Sequence, residues 1–368
     1  MKKVLAEILR VWKNEFRVVR ADEGVLIFLF LLPFAYPLVY SAIYNPELAR
    51  DVPVVVVDDS RTSVTREYAR SLDATQWVRV AGYAANMQEA RQAMAEKDCY
   101  GIIKFGSDFA KKVGRGESAT VEVYCDMSLL LRYKSMLLAV TTVANEMGKE
   151  KSIPIPFSLI PVGNVSQGLA SAIMPGVLVL ILQQCLVLAI CFLGATSRER
   201  AKANGGRDFL QVCGVSAFSR VVGKSMCYFT LIIVPAMFVL HFVPIIFDFP
   251  MNGNVLDIVA LMFPYFLAVI FFSMVIQLAV PDREATFLVF VFTSIAFVFL
   301  SGVSWPRYAM SEFWRLVGDC IPSTWAINGY IGINTASASL SQQSSSYIAL
   351  WILVVVYFLI AWWMERKR

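Results

Sequence analysis

The chain has 368 residues, of which 57% are hydrophobic and only 17% are charged, whereas a soluble globular protein carries about 25% charged residues. Two long stretches, residues 152–197 and 320–364, contain no Asp, Glu, Lys or Arg. A bilayer core takes about 20 apolar residues in a helix, so the composition excludes an ordinary soluble protein. The net charge of +5 indicates topology rather than nucleic-acid binding, because the basic residues cluster in a few segments.

Residues 1–22 predict an amphipathic helix on the cytoplasmic surface of a membrane. A soluble helix that simply ends at the membrane is the alternative. The side chains expected on its apolar side are Val4, Ile8, Val11, Trp12 and Val18, and those expected to face lipid head groups are Lys13, Arg17 and Arg20.

The charge-free stretches predict an α-helical polytopic membrane protein with six transmembrane helices. The expected spans are Gly24–Tyr44, Leu169–Leu193, Cys227–Phe247, Ile258–Val280, Ala285–Leu300 and Tyr347–Met364. Residues 24–44 thus form the first span, and residues 169–364 hold the other five. The fifth is short, and we expect it to continue beyond Gly302.

The positions of the basic residues predict which ends are cytoplasmic. Sixteen Lys and Arg residues lie in segments on one side, against two, Arg307 and Arg315, in the short loops on the other. Cytoplasmic loops carry the excess of Lys and Arg. Both termini, including the tail at residues 365–368, are therefore expected in the cytoplasm.

Residues 45–165 predict an extracytoplasmic α/β domain inserted after the first span. The apolar run Val52–Val57 indicates a buried strand, and Asp58, Asp59 and Ser60 offer N-cap groups for the helix that follows. The further predicted strands are Trp77–Ala81, Tyr100–Phe105 and Thr120–Tyr124, and the further helices are Met87–Lys97, Asp108–Val113 and Leu129–Lys149. Cys99 and Cys125 either form a disulfide or remain two separate thiols, of which the second is favoured.

Residues 196–224 form the longest cytoplasmic loop. It begins with the charged run Arg198-Glu199-Arg200, and it contains an apolar patch of Phe209, Leu210 and Val212. An exposed apolar patch flanked by charge indicates an interaction site. Gly223-Lys224-Ser225 ends like a phosphate-binding loop, but Phe218 stands where that pattern requires glycine. No nucleotide site is predicted.

Residues 301–346 form a loop on the outer side that has few charges and many aromatic residues. Because tryptophan prefers the head-group level of a membrane, this segment predicts short re-entrant or interfacial helices. The residues that carry this prediction are Trp305, Pro306, Trp314, Pro322 and Trp325.

Chemistry-bearing residues are sparse. His241 is the only histidine and falls in a span; a neutral side chain bonded to a neighbouring helix is favoured over a proton-coupling role. Four acidic residues of the inserted domain, Asp58, Asp59, Asp108 and Asp126, could suggest a carboxylate metal site. Helix capping explains the first two without a metal, and no metal site is predicted. No catalytic constellation is recognised. The uncharged spans favour an amphipathic or hydrophobic substrate.

Three groups of motifs follow one another in the chain. The first contains Val54–Ser60, Glu89-Ala90-Arg91 and Tyr100–Ile103; the second runs from Arg198 through Phe209-Leu210 to Ser219-Arg220 and Gly223-Lys224; the third is Ser301–Pro306 followed by Ile321–Ala326. With these motifs in this order, the chain resembles the permease subunit of type-2 ATP-binding-cassette exporters. It is most similar to the subgroup with a large extracytoplasmic domain between the first two spans. It departs from the pattern at Gly206–Phe209 and at Ser311, where the family has Gly-Thr-x-Glu and Pro.

The resemblance implies partners and sites. The implied partners are a cytoplasmic ATP-binding subunit that holds ATP and Mg, a second permease that is identical or paralogous, and in many members a membrane-fusion adaptor and an outer-membrane channel. The location implied is the bacterial inner membrane. This chain itself would bind no cofactor.

Two sets of site residues follow from the same resemblance. The ATPase-coupling loop is expected to use Glu199, Arg200, Phe209, Leu210, Val212, Arg220 and Lys224. The outer lid is expected to use Gly302, Trp305, Pro306, Pro322 and Trp325. A membrane-anchored extracytoplasmic ligand-binding or sensor protein is the alternative function.

Overall fold

The computed structural model describes residues 2–44, 50–125, 130–150, 169–203 and 214–367. In chain order the elements are α1 (Lys2–Arg20), α2 (Glu23–Tyr44), β1 (Val52–Asp58), α3 (Ser63–Asp73), β2 (Val78–Ala84), α4 (Met87–Ala95), β3 (Gly101–Phe105), α5 (Phe109–Gly114), β4 (Val121–Cys125), α6 (Leu130–Glu150), α7 (Leu169–Ala203), α8 (Ala217–Ile246), α9 (Val255–Ala279), α10 (Arg283–Leu300), a 3-10 turn (Arg307–Ala309), α11 (Glu312–Asp319), α12 (Pro322–Asn334) and α13 (Ser344–Lys367). Two units result, one of residues 1–45 with 162–368 and the other of residues 46–161.

Six helices of the first unit, α2, α7, α8, α9, α10 and α13, are long and apolar enough to cross a membrane. They confirm the six predicted spans. The second span is longer than predicted, because α7 continues to Ala203, and the third begins at Ala217 rather than near Cys227. The predicted cytoplasmic loop is therefore helical at both of its ends.

Proline shapes two of these helices. The π-helical turns Ile27–Leu31 in α2 and Phe238–Phe242 in α8 each lie just before a proline, Pro33 and Pro244. Because proline has no N–H, the carbonyl four residues earlier loses its helical donor. In α8 that carbonyl belongs to Leu240, and the Tyr330 hydroxyl of α12 donates to it at 3.4 Å.

The fifth span, α10, stops at Leu300. Its predicted continuation beyond Gly302 is wrong, because Gly302 has a φ of +92°, a left-handed conformation that glycine tolerates and that ends helices. The chain then forms α11 and α12, which confirms short helices in residues 301–346. With 13 residues, α12 is about 20 Å long and too short to cross a bilayer core.

The inserted unit is a mixed four-stranded sheet in the order β2-β1-β3-β4. β1 is parallel to β2 and β3, and β4 is antiparallel to β3. One face packs on α3, α5 and α6 through residues such as Tyr68, Phe105 and Met136, and the other packs on α4 through Ala90. This arrangement confirms the predicted α/β insertion.

The structure decides two local predictions for this unit, the N-cap of α3 and the state of Cys99 and Cys125. The predicted N-cap of α3 at residues 58–60 is wrong: Thr62 caps the helix together with Thr65, while Asp58 accepts hydrogen bonds from the backbone of Ser60 and Arg61 at 3.0 and 2.9 Å. Cys99 and Cys125 are not joined by a disulfide. Burial raises the pKa of the Cys99 thiol. Asp126 lies outside the described residues.

Candidate functional site

A groove of about 510 Å³ runs between the first, second and fifth spans, α2, α7 and α10. Those described residues that line it are all uncharged. They are Phe28, Leu32, Tyr36, Tyr40, Tyr44, Ile173, Met174, Val177, Leu180, Ile181, Gln184, Cys185, Leu188, Phe287, Phe290, Ser294, Val298, Val303 and Ser304. A volume of this size suits a drug-sized molecule. We call this space the span groove.

One wall of the span groove is a ladder of tyrosines on α2. Tyr36, Tyr40 and Tyr44 recur every fourth residue and therefore share one helix face. The ring centroids of Tyr36 and Tyr40 are 4.6 Å apart, those of Tyr40 and Tyr44 are 6.2 Å apart, and the Tyr36 hydroxyl donates to the Tyr40 hydroxyl at 3.2 Å. The four-residue spacing is visible in the sequence, but no site was predicted from it.

The opposite wall carries a polar group on α7. Gln184 is 5% exposed, and among the described residues its Nε2 has no hydrogen-bond partner. Its neighbour Gln183 points elsewhere and accepts a hydrogen bond from the Ser323 N–H of α12 at 2.9 Å. Two adjacent glutamines inside a long charge-free stretch are the sequence signal for this feature, which the sequence analysis also missed.

Three phenylalanine rings pack together near the starts of α2 and α10, and two of them, Phe28 and Phe287, line the span groove. The centroids of Phe28, Phe192 and Phe287 lie 5.4 to 6.2 Å apart in edge-on pairs, a favourable aromatic geometry. A Cβ added to Gly24 would lie 3.0 Å from the Phe192 ring, so glycine allows α2 to approach α7 here.

Charged side chains lie still nearer the starts of α2 and α10. Arg283, at the start of α10, lies 3.6 Å from Asp22 and 3.2 Å from Glu199, and the Thr196 hydroxyl donates to Asp22 at 3.2 Å. We call these four residues the Arg283 cluster. The cluster joins the ends of α2, α7 and α10, which are distant in sequence.

At the opposite end of the span groove, four of the predicted lid residues lie in or beside the segment that follows α10. They are Gly302, Pro306, Pro322 and Trp325. A Cβ at Gly302 would lie 2.8 Å from Cγ of Arg307, and Arg307 pairs with Asp319. The guanidinium of Arg307 also lies 5.5 Å from the Trp325 ring centroid, and Trp325 Nε1 donates to the Asp319 carbonyl at 2.9 Å. Pro306 directly precedes the 3-10 turn, and Pro322 is the first residue of α12.

Trp305, the remaining predicted lid residue, is separate from this group. It is exposed and lines a shallow groove of about 500 Å³ with Phe299 and Trp314. The structure thus brings Gly302 and Trp325 around one arginine and leaves Trp305 on the surface. Their action as a lid stays a prediction.

The N-terminal helix α1 packs against the start of α8. A Cβ added to Gly223 would lie 2.6 Å from Cβ of Val11 and 2.9 Å from the Ile8 carbonyl, so the two helices are in very close contact. Glu15 accepts a hydrogen bond from the Tyr228 hydroxyl. Ile8 and Val11, which were predicted on the membrane-facing side of this helix, are instead buried against α8, so that part of the prediction is wrong. Leu5, Leu9 and Phe16 are exposed on another side, and placement of α1 on a membrane surface stays a prediction.

Glu7 ties α1 to the N-terminus of α8. The Ser219 hydroxyl donates to Glu7 at 2.9 Å and the Ser216 N–H donates at 3.4 Å. These hydrogen bonds to the charged form lower the pKa of the Glu7 carboxyl. No role for Glu7 was predicted from the sequence.

The residues predicted for ATPase coupling are only partly described. Phe209, Leu210 and Val212 lie outside the described residues. Glu199 belongs to the Arg283 cluster, Arg200 is exposed, and Lys224 is half-buried. Their role in coupling stays a prediction.

Arg220 is buried rather than presented to solvent. Its Nε lies 3.0 Å from a Glu365 carboxylate oxygen, and its two terminal nitrogens donate to the carbonyls of Val215 and Glu365 at 2.7 and 2.9 Å. This residue ties the start of α8 to the end of α13. Any contribution to coupling would be made through the position of α8.

His241 lies on an exposed face of α8. Among the described residues it makes a ring contact with Phe242 but no hydrogen bond to a neighbouring helix, so that prediction is wrong. The face it shares with Ile233 and Met237 points outward. Within the described part of the chain, no group of three His, Cys, Asp or Glu side chains is arranged to hold a metal ion.

The sequence was compared with known proteins. The profile of the family described as ABC-2 family transporter protein matches residues 24–363. No curated protein gives a significant match. The match includes the inserted unit and all or most of each of the six candidate membrane helices.

Proposed function

Because the chain belongs to the ABC-2 transporter family, we propose that it is the permease of an ATP-driven exporter for an amphipathic or hydrophobic compound. Permeases of this family are transport components rather than enzymes, and they pair with ATPase subunits. The observation that carries the proposal is the span groove: an uncharged space of about 510 Å³ between three membrane helices. An apolar molecule leaving the cytoplasm or the inner membrane would enter it.

The partner ATPase supplies the energy in this proposal, and it holds the ATP and Mg. It docks on the segment between α7 and α8 through Phe209, Leu210 and Val212, with Glu199, Arg200, Arg220 and Lys224 near by. A small apolar anchor entering a groove is a common mode of such recognition. The firm contact of α1 with α8 supports this arrangement, because a push on the start of α8 would also move α1.

A second permease completes the pathway. The outward face of α10 supports this step, because Leu288, Phe292 and Ile295 are exposed on it. The partner is identical or paralogous. We place the complex in a bacterial inner membrane with both termini cytoplasmic, and the inserted unit outside, where an adaptor and an outer-membrane channel would continue the path. Gly302, Trp305, Pro306, Pro322 and Trp325 form the outer lid.

Co-purification and export test this proposal together. The chain isolated from its native membrane is expected to retain an ATPase, and Phe209→Asp is expected to release that ATPase and abolish export. Phe313→Asp is the matched control, because Phe313 is an exposed phenylalanine on α11. Export that survives Phe209→Asp, in a chain that retains no ATPase, contradicts the proposal.

A ligand-binding or sensor role is the second candidate. The observation that favours it is an open groove of about 430 Å³ on the inserted unit, lined by Met87, Arg91, Met94 and Tyr124 among others. ATP-dependent accumulation of a hydrophobic compound in inverted membrane vesicles separates the two functions. A sensor would bind its ligand without accumulating it.

A further inference from the structure

We propose that the span groove binds an uncharged, flat aromatic compound that carries a hydrogen-bond acceptor, and that Gln184 selects for the acceptor. This inference rests on the proposed transport function and names its substrate class. Three properties of the groove carry it: the absence of charge in its described lining, the tyrosine ladder of α2, and the buried amide of Gln184.

The lining selects against charge. All nineteen described residues around the groove are uncharged, and a charged group placed there would lose its water without gaining a counter-ion. Such a transfer is strongly unfavourable. Among the charged residues near the starts of α2 and α10, Arg283 already pairs with Asp22 and Glu199. A ligand held in the groove is therefore neutral.

The tyrosine ladder favours a flat ring over a flexible lipid chain. Tyr36 and Tyr44 are 39% and 43% exposed, so their rings are open to a ligand. Aromatic rings pair in offset or edge-on geometries that add to simple burial of area. Tyr36 and Tyr40 are fixed against each other by ring contact and by a hydroxyl hydrogen bond. An ordered aromatic wall suits an aromatic ligand.

Gln184 supplies the polar selection. Its side-chain Oε1 lies 3.5 Å from the Thr293 hydroxyl, at the limit of a hydrogen bond, and that hydroxyl instead donates to the Val289 carbonyl at 2.7 Å. The Nε2 donor has no partner among the described residues, although Gln184 is 5% exposed. A buried amide donor without a partner is unfavourable. A carbonyl acceptor on the ligand would satisfy it.

The probe for the test is Nile red, a neutral flat dye with a ring carbonyl, and its fluorescence reports binding to the full chain in lipid nanodiscs. Pyrene is the matched probe without an acceptor, and rhodamine 6G is the matched cationic probe. We expect Nile red to bind and rhodamine 6G to bind at least tenfold more weakly. Equal affinity of the cation and the neutral dye would overturn the inference.

Variants assign the selection to residues. Gln184→Met keeps the side-chain length and removes the donor, so it is expected to weaken Nile red binding about tenfold, as for one lost hydrogen bond, and to leave pyrene binding unchanged. Tyr40→Leu is expected to weaken both dyes about threefold to tenfold. Phe242→Leu, at an exposed position on α8 outside the groove, is the control and should change neither. An unchanged Nile red affinity in Gln184→Met overturns the inference.

Two other occupants are outcomes of the same experiment. If Nile red only dissolves in the nanodisc lipid, empty nanodiscs give the same signal as all variants, which overturns the inference. If a second copy of the chain fills the groove, no dye binds and Tyr40→Leu changes the oligomeric state measured by mass photometry, which also overturns it.

Failure of this inference and failure of the proposed function are distinguishable. The binding measurement needs neither ATP nor an ATPase subunit. Selective dye binding without ATP-driven export would contradict the transport proposal and leave the site assignment intact. ATP-driven export with a Gln184→Met variant that binds Nile red normally would contradict the site assignment alone.

Discussion

The second and fifth spans, α7 and α10, are both strongly apolar but lie in opposite surroundings. Within the described structure, 94% of the apolar window of α7 is buried, against 11% for α10. Their mean hydropathies of 2.6 and 1.8 do not account for this difference. Apolar composition predicts entry into a membrane, whereas the choice of neighbours depends on features that hydropathy does not record.

Small and polar residues distinguish α7. A Cβ added to Gly176 would lie 2.7 Å from Val303, and one added to Gly194 would lie 2.5 Å from the Gln277 side chain. Inside a membrane, helices associate through such close contacts and through hydrogen bonds, because lipid is as apolar as leucine. The segment Arg283–Leu300 of α10 contains no glycine. Its contacts with α7 and α9 are made by apolar side chains such as Val289 and Phe297, and its ion pairs lie at its first turn.

The largest expected effect comes from equal truncations in the two helices. Leu186→Ala in α7 removes a fully buried side chain and is expected to lower the free energy of unfolding by about 2 kcal/mol, the low end of the usual range for such cavities, since lipid also solvates leucine. Leu288→Ala in α10, where the side chain is 62% exposed, is expected to cost less than about 0.5 kcal/mol.

Thermal or denaturant unfolding in detergent measures this difference. Equal losses for the two variants would contradict the contrast between the helices. A loss for Leu288→Ala that appears only where the protein is dimeric would sharpen the contrast, because it would assign the outward face of α10 to the second permease.

Gln183→Leu tests the polar contact of α7 with α12. The change removes the acceptor of the Ser323 N–H, whose buried donor is then unpaired, and it also removes the unpartnered Nε2 of Gln183. The two effects partly offset, so we expect a loss of about 1–2 kcal/mol in unfolding free energy. Ser323 hydrogen exchange should accelerate at the same time. An unchanged exchange rate at Ser323 would contradict the predicted role of this bond.

Arg283→Gln tests the attachment of α10 at its first turn. The variant leaves Asp22 and Glu199 without their cation. Because Arg283 is 39% exposed, solvent screens the pairs, and we expect a loss of about 1 kcal/mol. Arg200→Gln, at an exposed position on α7, is the control and should be neutral. If both variants lower the unfolding temperature equally, the Arg283 cluster does not hold α10.

Much of the fold was predictable because the bilayer and the sheet impose simple patterns. Charge-free stretches of span length predicted the membrane helices, and the β-branched run at Val52–Val57 predicted β1. The end of α10 at Gly302 was not predicted, since an apolar sequence continues past it and only the backbone conformation reveals the stop. Thr62 was missed as a cap because Asp58, Asp59 and Ser60 compete for that role in sequence.

The candidate site was less predictable than the fold. The span groove combines three helices whose lining residues range from Phe28 to Ser304, and no local pattern states which helices pair. The spacing of Tyr36, Tyr40 and Tyr44 was visible in the sequence, but a stripe of aromatics equally suits contact with lipid. Whether a buried glutamine such as Gln184 has a partner is known only from the neighbours that folding supplies.

The smallest expected effect concerns a polar contact between α10 and α7 beyond the first turn of α10. Thr293→Val keeps the side-chain shape and removes a hydroxyl that donates to the Val289 carbonyl of its own helix at 2.7 Å and lies 3.5 Å from Gln184. Thr230→Val in α8 is the matched control, because the Thr230 hydroxyl donates to its own helix at 2.7 Å and is exposed.

If Gln184 contributes nothing to holding α10, both changes cost the same, less than about 0.5 kcal/mol in unfolding free energy. A loss above about 1 kcal/mol for Thr293→Val alone would mean that Gln184 and Thr293 form a bond as strong as a typical internal one. The Gln184 side-chain oxygen would then hold Thr293 of α10 in place. The contacts that fix α10 would be stronger, relative to those that fix α7, than the buried fractions of the two helices indicate.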